Sequence, residues 1–188
     1  MADDWTRKQE AKYSDPKRGF GEADKVVELK LKAYLKVCEL ARKGAKFLDL
    51  GANSGRVSFE MQKLGMSVLA VDLPAIISKI KYEVPKVAMD LEKDFPSGTW
   101  DLIFCRETIE HLRNYQEVCK RALDSLSPSG MMVITAPFDD RDNAQFCPEH
   151  VRIFKDKELD KMVASAGGVV LEALNERRQR VVVAKKGC

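Results

Sequence analysis

The chain has 188 residues, 45% of them hydrophobic and 32% charged, with a formal net charge of +3. This is the size and balance of one globular domain with one core. No apolar run is long enough for a bilayer-spanning helix, and so small a charge demands no polyanionic partner.

The N-terminal stretch MADDWTRKQEAKYSDPKRGF is charged and lacks the apolar segment of a secretory signal, so a cytoplasmic location is expected. Residues 1–21 are polar, include Pro16, Gly19 and Gly21, and read as a flexible arm. From Glu22 to Lys43, Val26, Val27, Leu29, Leu31, Leu35, Val37 and Leu40 recur at near-helical spacing. That predicts one long helix ending near Gly44. The pattern then changes. FLDLG (47–51) reads as a strand, followed by a glycine turn and a helix through Phe59 and Met61 to Leu64. SVLAVD (67–72) is a second strand, with a turn or short helix from Pro74 to Lys81. VPKVAMD (84–90) is a third strand and WDLIFC (100–105) a fourth. A helix through His111 to Leu126 follows, then a turn at Ser127-Pro128-Ser129-Gly130 and a fifth strand, MMVITAP (131–137). A loop from Asp139 to Phe154 leads into a helix over Lys155–Ala166 that ends at Gly167-Gly168. VVLEAL (169–174) and RVVVAKK (180–186) close the chain as two strands joined by a polar turn.

Strands alternating with helices predict right-handed crossovers and a doubly wound α/β fold. The expected sheet is mostly parallel and seven-stranded, with an antiparallel C-terminal strand and helices on both faces. Residues 45–186 form its Rossmann-like core, and residues 1–188 one domain. The five cysteines include no C-x-x-C pair, which argues against a zinc knuckle or a redox pair. Cys38 and Cys105 sit in apolar runs and read as buried thiols. The basic residues Arg177, Arg178, Arg180, Lys185 and Lys186 read either as a solvated hairpin or as an RNA or phosphate contact.

In such sheets ligands bind beyond the carboxyl ends of the strands, where strand order reverses. The first such end is FLDLGANSGR, where Gly51 and Gly55 permit close backbone approach and the next helix offers free N–H groups. The second strand ends in Asp72, placed to accept hydrogen bonds from ribose hydroxyls. These features fit an adenosine cofactor without separating a dinucleotide from other kinds.

FLDLGANSG, LAVDLP, AMDLEKDFPSGTWDLIFCRETIEHL and LSPSGMMVITAP, in this order, resemble the successive motifs of class I S-adenosylmethionine-dependent methyltransferases. The resemblance spans roughly residues 25–186. It implies that Asp90 caps the adenine amino group, that Leu91 lies against the ring, and that Asp49 and Gly51 stand near the methionine part of the cofactor. Ala52, Asn53, Gly55, Leu73 and Arg106 complete the implied cofactor set. Asn53 stands where the family often has Gly, and Asn tolerates left-handed backbone angles better than most residues.

Methyl transfer requires the acceptor held in line with the methyl group, and a hydroxyl acceptor also requires proton removal. Candidates converge in Arg106-Glu107-Thr108-Ile109-Glu110-His111 and at His150. If this stretch opens a helix, Glu107, Glu110 and His111 share one face. Glu107, His111 and His150 are the candidate catalytic residues. The E-x-x-E-H pattern with a later His resembles small-RNA terminal 2′-O-methyltransferases and ubiquinone-pathway O-methyltransferases, both thought to use a metal. It also occurs in metal-free methyltransferases, where the same residues support the helix. A structural role, a general base and a metal set of Glu107, Glu110, His111 and His150 all remain open, with no metal favoured.

Trp5, Tyr13, Phe20 and Tyr34 either cover the pocket or pack on the sheet. The short lid implies an open cleft, which suits a large substrate, a carrier-bound one or a site completed by a partner subunit, and equally a small molecule under the arm. The expected activity is methyl transfer to oxygen or nitrogen of a small molecule. The alternatives are a metal-assisted RNA 2′-O-methyltransferase and a non-catalytic S-adenosylmethionine-binding subunit. An NAD-dependent dehydrogenase is disfavoured because the glycine loop lacks the full G-x-G-x-x-G.

Overall fold

The computed structural model describes residues 32–139, 150–176 and 178–187. The arm at 1–21, with Trp5, Tyr13 and Phe20, lies outside these, as do the start of the first helix, Arg177, Cys147 and Cys188. Helix α1 (Lys32–Leu40) leads to β1 (Lys46–Leu50), α2 (Arg56–Lys63), β2 (Ser67–Asp72), α3 (Pro74–Ile77), β3 (Lys86–Ala88) and β4 (Trp100–Arg106). After β4 come α4 (Tyr115–Asp124), β5 (Leu126–Pro137), α5 (Glu158–Ser165), β6 (Gly168–Glu176) and β7 (Gln179–Lys186).

All seven strands form one sheet in the order β3-β2-β1-β4-β5-β7-β6. β1 to β5 pair in parallel, and β7 runs antiparallel to both β5 and β6. The period of two along each strand explains the two cores. Phe47, Leu102, Phe104, Val181 and Val183 face α1, α2 and α3. Leu48, Leu50, Ile103, Cys105, Val182 and Ala184 face α4 and α5. Strands with apolar residues at every position are those buried on both faces. Each large side chain so buried contributes about 1.5–3 kcal/mol. Phe104, 1% exposed, is one whose loss would leave a cavity costing about 3–5 kcal/mol.

Several boundaries differ from the sequence reading. The first helix stops at Leu40, and Gly44 turns at φ 82° with its N–H on the Gly65 carbonyl at 2.8 Å. The third strand shrinks to Lys86–Ala88. Ser127 to Gly130 are not a free turn but a bulge within β5. Leu126 pairs with Trp100 and Met131 with Leu102, so these residues stand opposite Asp101, which accepts the Ser127 hydroxyl at 2.7 Å. No helix opens after β4. Glu107 is left-handed at φ 49°, Ile109–His111 make a single 3-10 turn, and Leu112 is extended before α4 begins.

Cys105 and Cys119 are buried free thiols and Cys38 is half-buried. Tyr34 packs with the α1–α2 core. Arg178 is exposed, but Arg180 is buried, its guanidinium held by Asp160 at 2.9 Å and Asn175 at 2.8 Å. The basic hairpin is therefore only partly solvated. Among the described residues no helix is long and apolar enough to cross a membrane.

Candidate active site

β1 lies between β2 and β4, and the chain leaves β1 and β4 on opposite faces of the sheet. α2 after β1 packs with one core and α4 after β4 with the other. The loops at these carboxyl ends diverge and leave a crevice. A cleft of about 970 Å³, including its open mouth, occupies it. That is the size of a small-molecule or cofactor site.

The loop after β1 is built from left-handed residues. Gly51, Asn53 and Gly55 have φ of 73°, 48° and 75°. At Gly51 the need for glycine is twofold, since a Cβ there would fall 2.0 Å from the Thr108 hydroxyl oxygen. Asn53 supplies its positive φ without glycine, as an Asx residue can. The loop is tied to the end of β2. The N–H groups of Gly51 and Ala52 donate to the Val71 carbonyl at 2.9 and 3.0 Å, and that of Asn53 to Asp72 Oδ2 at 2.8 Å. Asp72 Oδ1 accepts the Leu73 N–H, also at 2.8 Å. Burial pushes the Asp72 carboxyl up to about 6, against the opposing pull of those two amides. A buried acid held by donors at the cleft wall is suited to accept hydroxyl hydrogens.

Asp49 and Asp72 line the cleft with Gly51, Ala52, Asn53 and Leu73, as do Asp90, Leu91 and Arg106. Gly55 stands back from it as the N-cap of α2. Asp90 closes a turn, its Oδ1 accepting the Glu92 N–H at 3.1 Å and its Oδ2 pairing with Lys93. Leu91 is buried against the α4-side core.

The three candidate catalytic residues do not form one cluster. Glu107 and His111 line the cleft and His150 does not. Because Glu107 is left-handed, its carboxylate turns to β5 and β7. It accepts the Thr135 hydroxyl at 3.1 Å and a hydrogen bond from Gln179. Burial raises its pKa, opposed by Thr135 and by the Arg106 charge. His111 and His150 meet edge to face, ring centroids 4.9 Å apart, beside the buried Glu110. The Glu110 carbonyl accepts the N–H groups of Val151 and Arg152 at 2.9 and 3.3 Å, which draws His150 to the turn. One ligand atom from each of Glu110, His111 and His150 lies within 4.8 Å of the others, and Glu107 is not among them.

Other residues enter that the sequence reading missed. Thr108, Met89, Glu92, Leu112 and Ile76 line the cleft. The Thr108 hydroxyl reaches the carbonyls of Arg106 at 2.9 Å and Leu50 at 3.2 Å, tying the ends of β4 and β1. Ser58 and Thr135 are fully buried. Each is a polar residue on an otherwise apolar face, a signal visible in the sequence.

A family model described as a methyltransferase domain matches residues 23–173. The ubiquinone biosynthesis O-methyltransferase of Xanthomonas euvesicatoria is 29% identical over 104 residues, covering 49% of this chain and 43% of that protein. Phosphoethanolamine N-methyltransferase 3 of Arabidopsis thaliana is 31% identical over 103 residues, covering 49% of this chain and 21% of that protein. The matches thus span less than half the length of these two curated relatives. Among solved structures, the Burkholderia thailandensis 1,6-didemethyltoxoflavin-N1-methyltransferase, with 1,6-didemethyltoxoflavin and S-adenosylhomocysteine bound, superposes with a TM-score of 0.73 at 20% identity. That match covers 97% of this chain and 87% of the other. With the family model spanning most of its length and the same fold in the Burkholderia enzyme, the chain belongs to the methyltransferase domain family.

Proposed function

We propose that this chain is an S-adenosylmethionine-dependent methyltransferase acting on oxygen or nitrogen of a small molecule. One observation carries the reading: a left-handed glycine loop and two strand-end carboxylates, Asp72 and Asp90, meet around one cleft. The fit is specific. Gly51 is bare because Thr108 fills the space a Cβ would take, and each Asp72 oxygen accepts one backbone N–H, leaving a second acceptor direction for a ribose hydroxyl. S-adenosylmethionine supplies, when bound, an electrophilic methyl group. Asp90 and Leu91 hold the adenine, Asp72 and Leu73 the ribose, and Asp49, Gly51, Ala52, Asn53 and Arg106 the amino-acid end. Glu107, His111 and His150 stand on the acceptor side. Glu107, held by Thr135 and Gln179, orients the acceptor, and His111 takes a proton within reach of His150. The relatives named above, an O-methyltransferase and an N-methyltransferase among them, support a small acceptor.

A second reading, metal-assisted transfer to a hydroxyl, is favoured by the Glu110-His111-His150 group. Two imidazoles and a carboxylate on one side suit a divalent transition metal, which lowers the pKa of a bound hydroxyl. An RNA acceptor is less well supported, because Arg180 is engaged by Asp160 and Asn175.

Calorimetry with S-adenosylhomocysteine tests the cofactor reading. The parent should bind at micromolar concentration, and Asp72→Ala and Asp90→Ala should each weaken binding about tenfold or more while still folding. No binding by the parent would overturn the proposal. Binding without methyl transfer to any candidate metabolite would leave the non-catalytic subunit, or a site completed by a partner, in its place.

A further inference from the structure

Among the described residues the buried polar or charged side chains are Asp49, Ser58, Asp72, Glu110, Thr135 and Arg180. Asp72 anchors the glycine loop, Glu110 stands in the imidazole group, Thr135 holds Glu107 and Arg180 is paired. Ser58 takes part in none of these contacts. It lies on the buried face of α2 beside Val57 and Met61, fully enclosed. A hydroxyl there costs stability unless it is hydrogen-bonded, and Ser is a poorer helix former than Ala. Its partner is Asp49, whose Oδ2 accepts the Ser58 hydroxyl at 2.7 Å. Asp49 is two positions after Phe47 on β1, so its side chain leaves the sheet on the α2 face. It is 3% exposed and borders the cleft beside Gly51.

We propose that Ser58 is a positioning residue: it reaches across from α2 and fixes the Asp49 carboxylate in the cleft wall, where that carboxylate recognises the positively charged amino group of the bound cofactor. This rests on the cofactor reading above. A short hydroxyl-to-carboxylate bond is among the stronger protein hydrogen bonds. Held by it, the acid keeps one rotamer whether or not the cleft is filled, so it meets the ammonium without reordering.

Two ligands separate this role from a structural one. S-adenosylhomocysteine carries the amino-acid end, and 5′-methylthioadenosine carries the same nucleoside and sulfur without it. By calorimetry, Ser58→Ala should weaken S-adenosylhomocysteine about tenfold, the worth of one charge-assisted bond, and change 5′-methylthioadenosine less than about twofold. Asp49→Asn should show the same selectivity, and adding Ser58→Ala to it should cost nothing more. Equal weakening of both ligands would mean that Ser58 only shapes the loop, and no weakening of either would mean that it positions nothing. Additive losses in the double variant would likewise overturn the proposal. A parent that binds neither ligand refutes the cofactor reading itself, a distinct failure. Should Ser58→Ala not fold, Ser58→Cys, with a weaker donor in nearly the same volume, is expected to show a smaller loss of the same selectivity. Its absence refutes the proposal.

Discussion

Gly51→Ala tests the coupling of the two loops that make the cleft. Gly51 has φ 73°, where an L-residue pays about 1–2 kcal/mol. The new Cβ would lie 2.0 Å from Thr108 Oγ1, 2.8 Å from its Cγ2 and 2.9 Å from its Cβ. All three are closer than real Cβ contacts, and Thr108 cannot swing away without releasing the Arg106 and Leu50 carbonyls. Overpacking of this kind costs about 1–3 kcal/mol. Alanine stiffens the unfolded chain and returns about 0.4–1 kcal/mol, so the net loss is about 2–4 kcal/mol. In a protein of this size that lowers Tm by about 5–15 °C, read by calorimetric or circular-dichroism melting. Thr108→Gly removes every clashing atom. In a double-mutant cycle it should recover the overpacking part, about 1–3 kcal/mol, and leave the backbone part. A Gly51→Ala variant that melts with the parent, or a cycle with no coupling, would refute the argument.

Asp72 makes stability depend on pH. Burial raises its folded-state pKa to about 6 from an ordinary 3.8, so the folded protein takes up this proton first as pH falls. The stabilisation, about 3 kcal/mol, is full below about pH 4 and is lost as pH rises through 6. Asp72→Asn should flatten that slope in denaturant titrations between about pH 4 and 8. S-adenosylhomocysteine should bind more tightly as pH rises through the same range, because the ionised acid is the better acceptor. For the metal reading, Mn²⁺ or Co²⁺ titrated into the protein should bind the parent and lose about 10- to 100-fold in affinity in His150→Ala or Glu110→Gln. Equal binding by parent and variants, or full transfer activity in EDTA, would sink it. Asp160→Ala removes the carboxylate hydrogen-bonded to the Arg180 guanidinium, leaving Asn175 and the more distant Asp156 charge, and should cost about 1–3 kcal/mol by chemical denaturation. A change under about half of one kcal/mol would show the pair to be dispensable.

Local pattern alone determined the strands and most helices. Apolar runs such as WDLIFC and MMVITAP have no polar side, and such runs hold only where both faces are covered. The glycine loop was equally legible, because Gly51, Asn53 and Gly55 are residues that accept left-handed angles. Asp49, Asp72, Asp90 and Arg106 were legible as a group because each stands at or just past the carboxyl end of a strand. Such ends are brought to one edge by any parallel sheet.

The tertiary structure alone decided the rest. No spacing rule says that β1 lies between β2 and β4, and that order opens the crevice. The run Glu107 to His111 has helical spacing, yet tethers across the sheet override it. Glu107 is held by Thr135 and Gln179 from β5 and β7, while Glu110 is buried beneath a returning chain that delivers His150. The Ser58–Asp49 and Arg180–Asp160 contacts likewise join a helix to a strand. Sequence constrains each residue's dihedral angles and the face it presents, but which carboxylate meets which donor depends on strand order and register, set by the packing of the whole core.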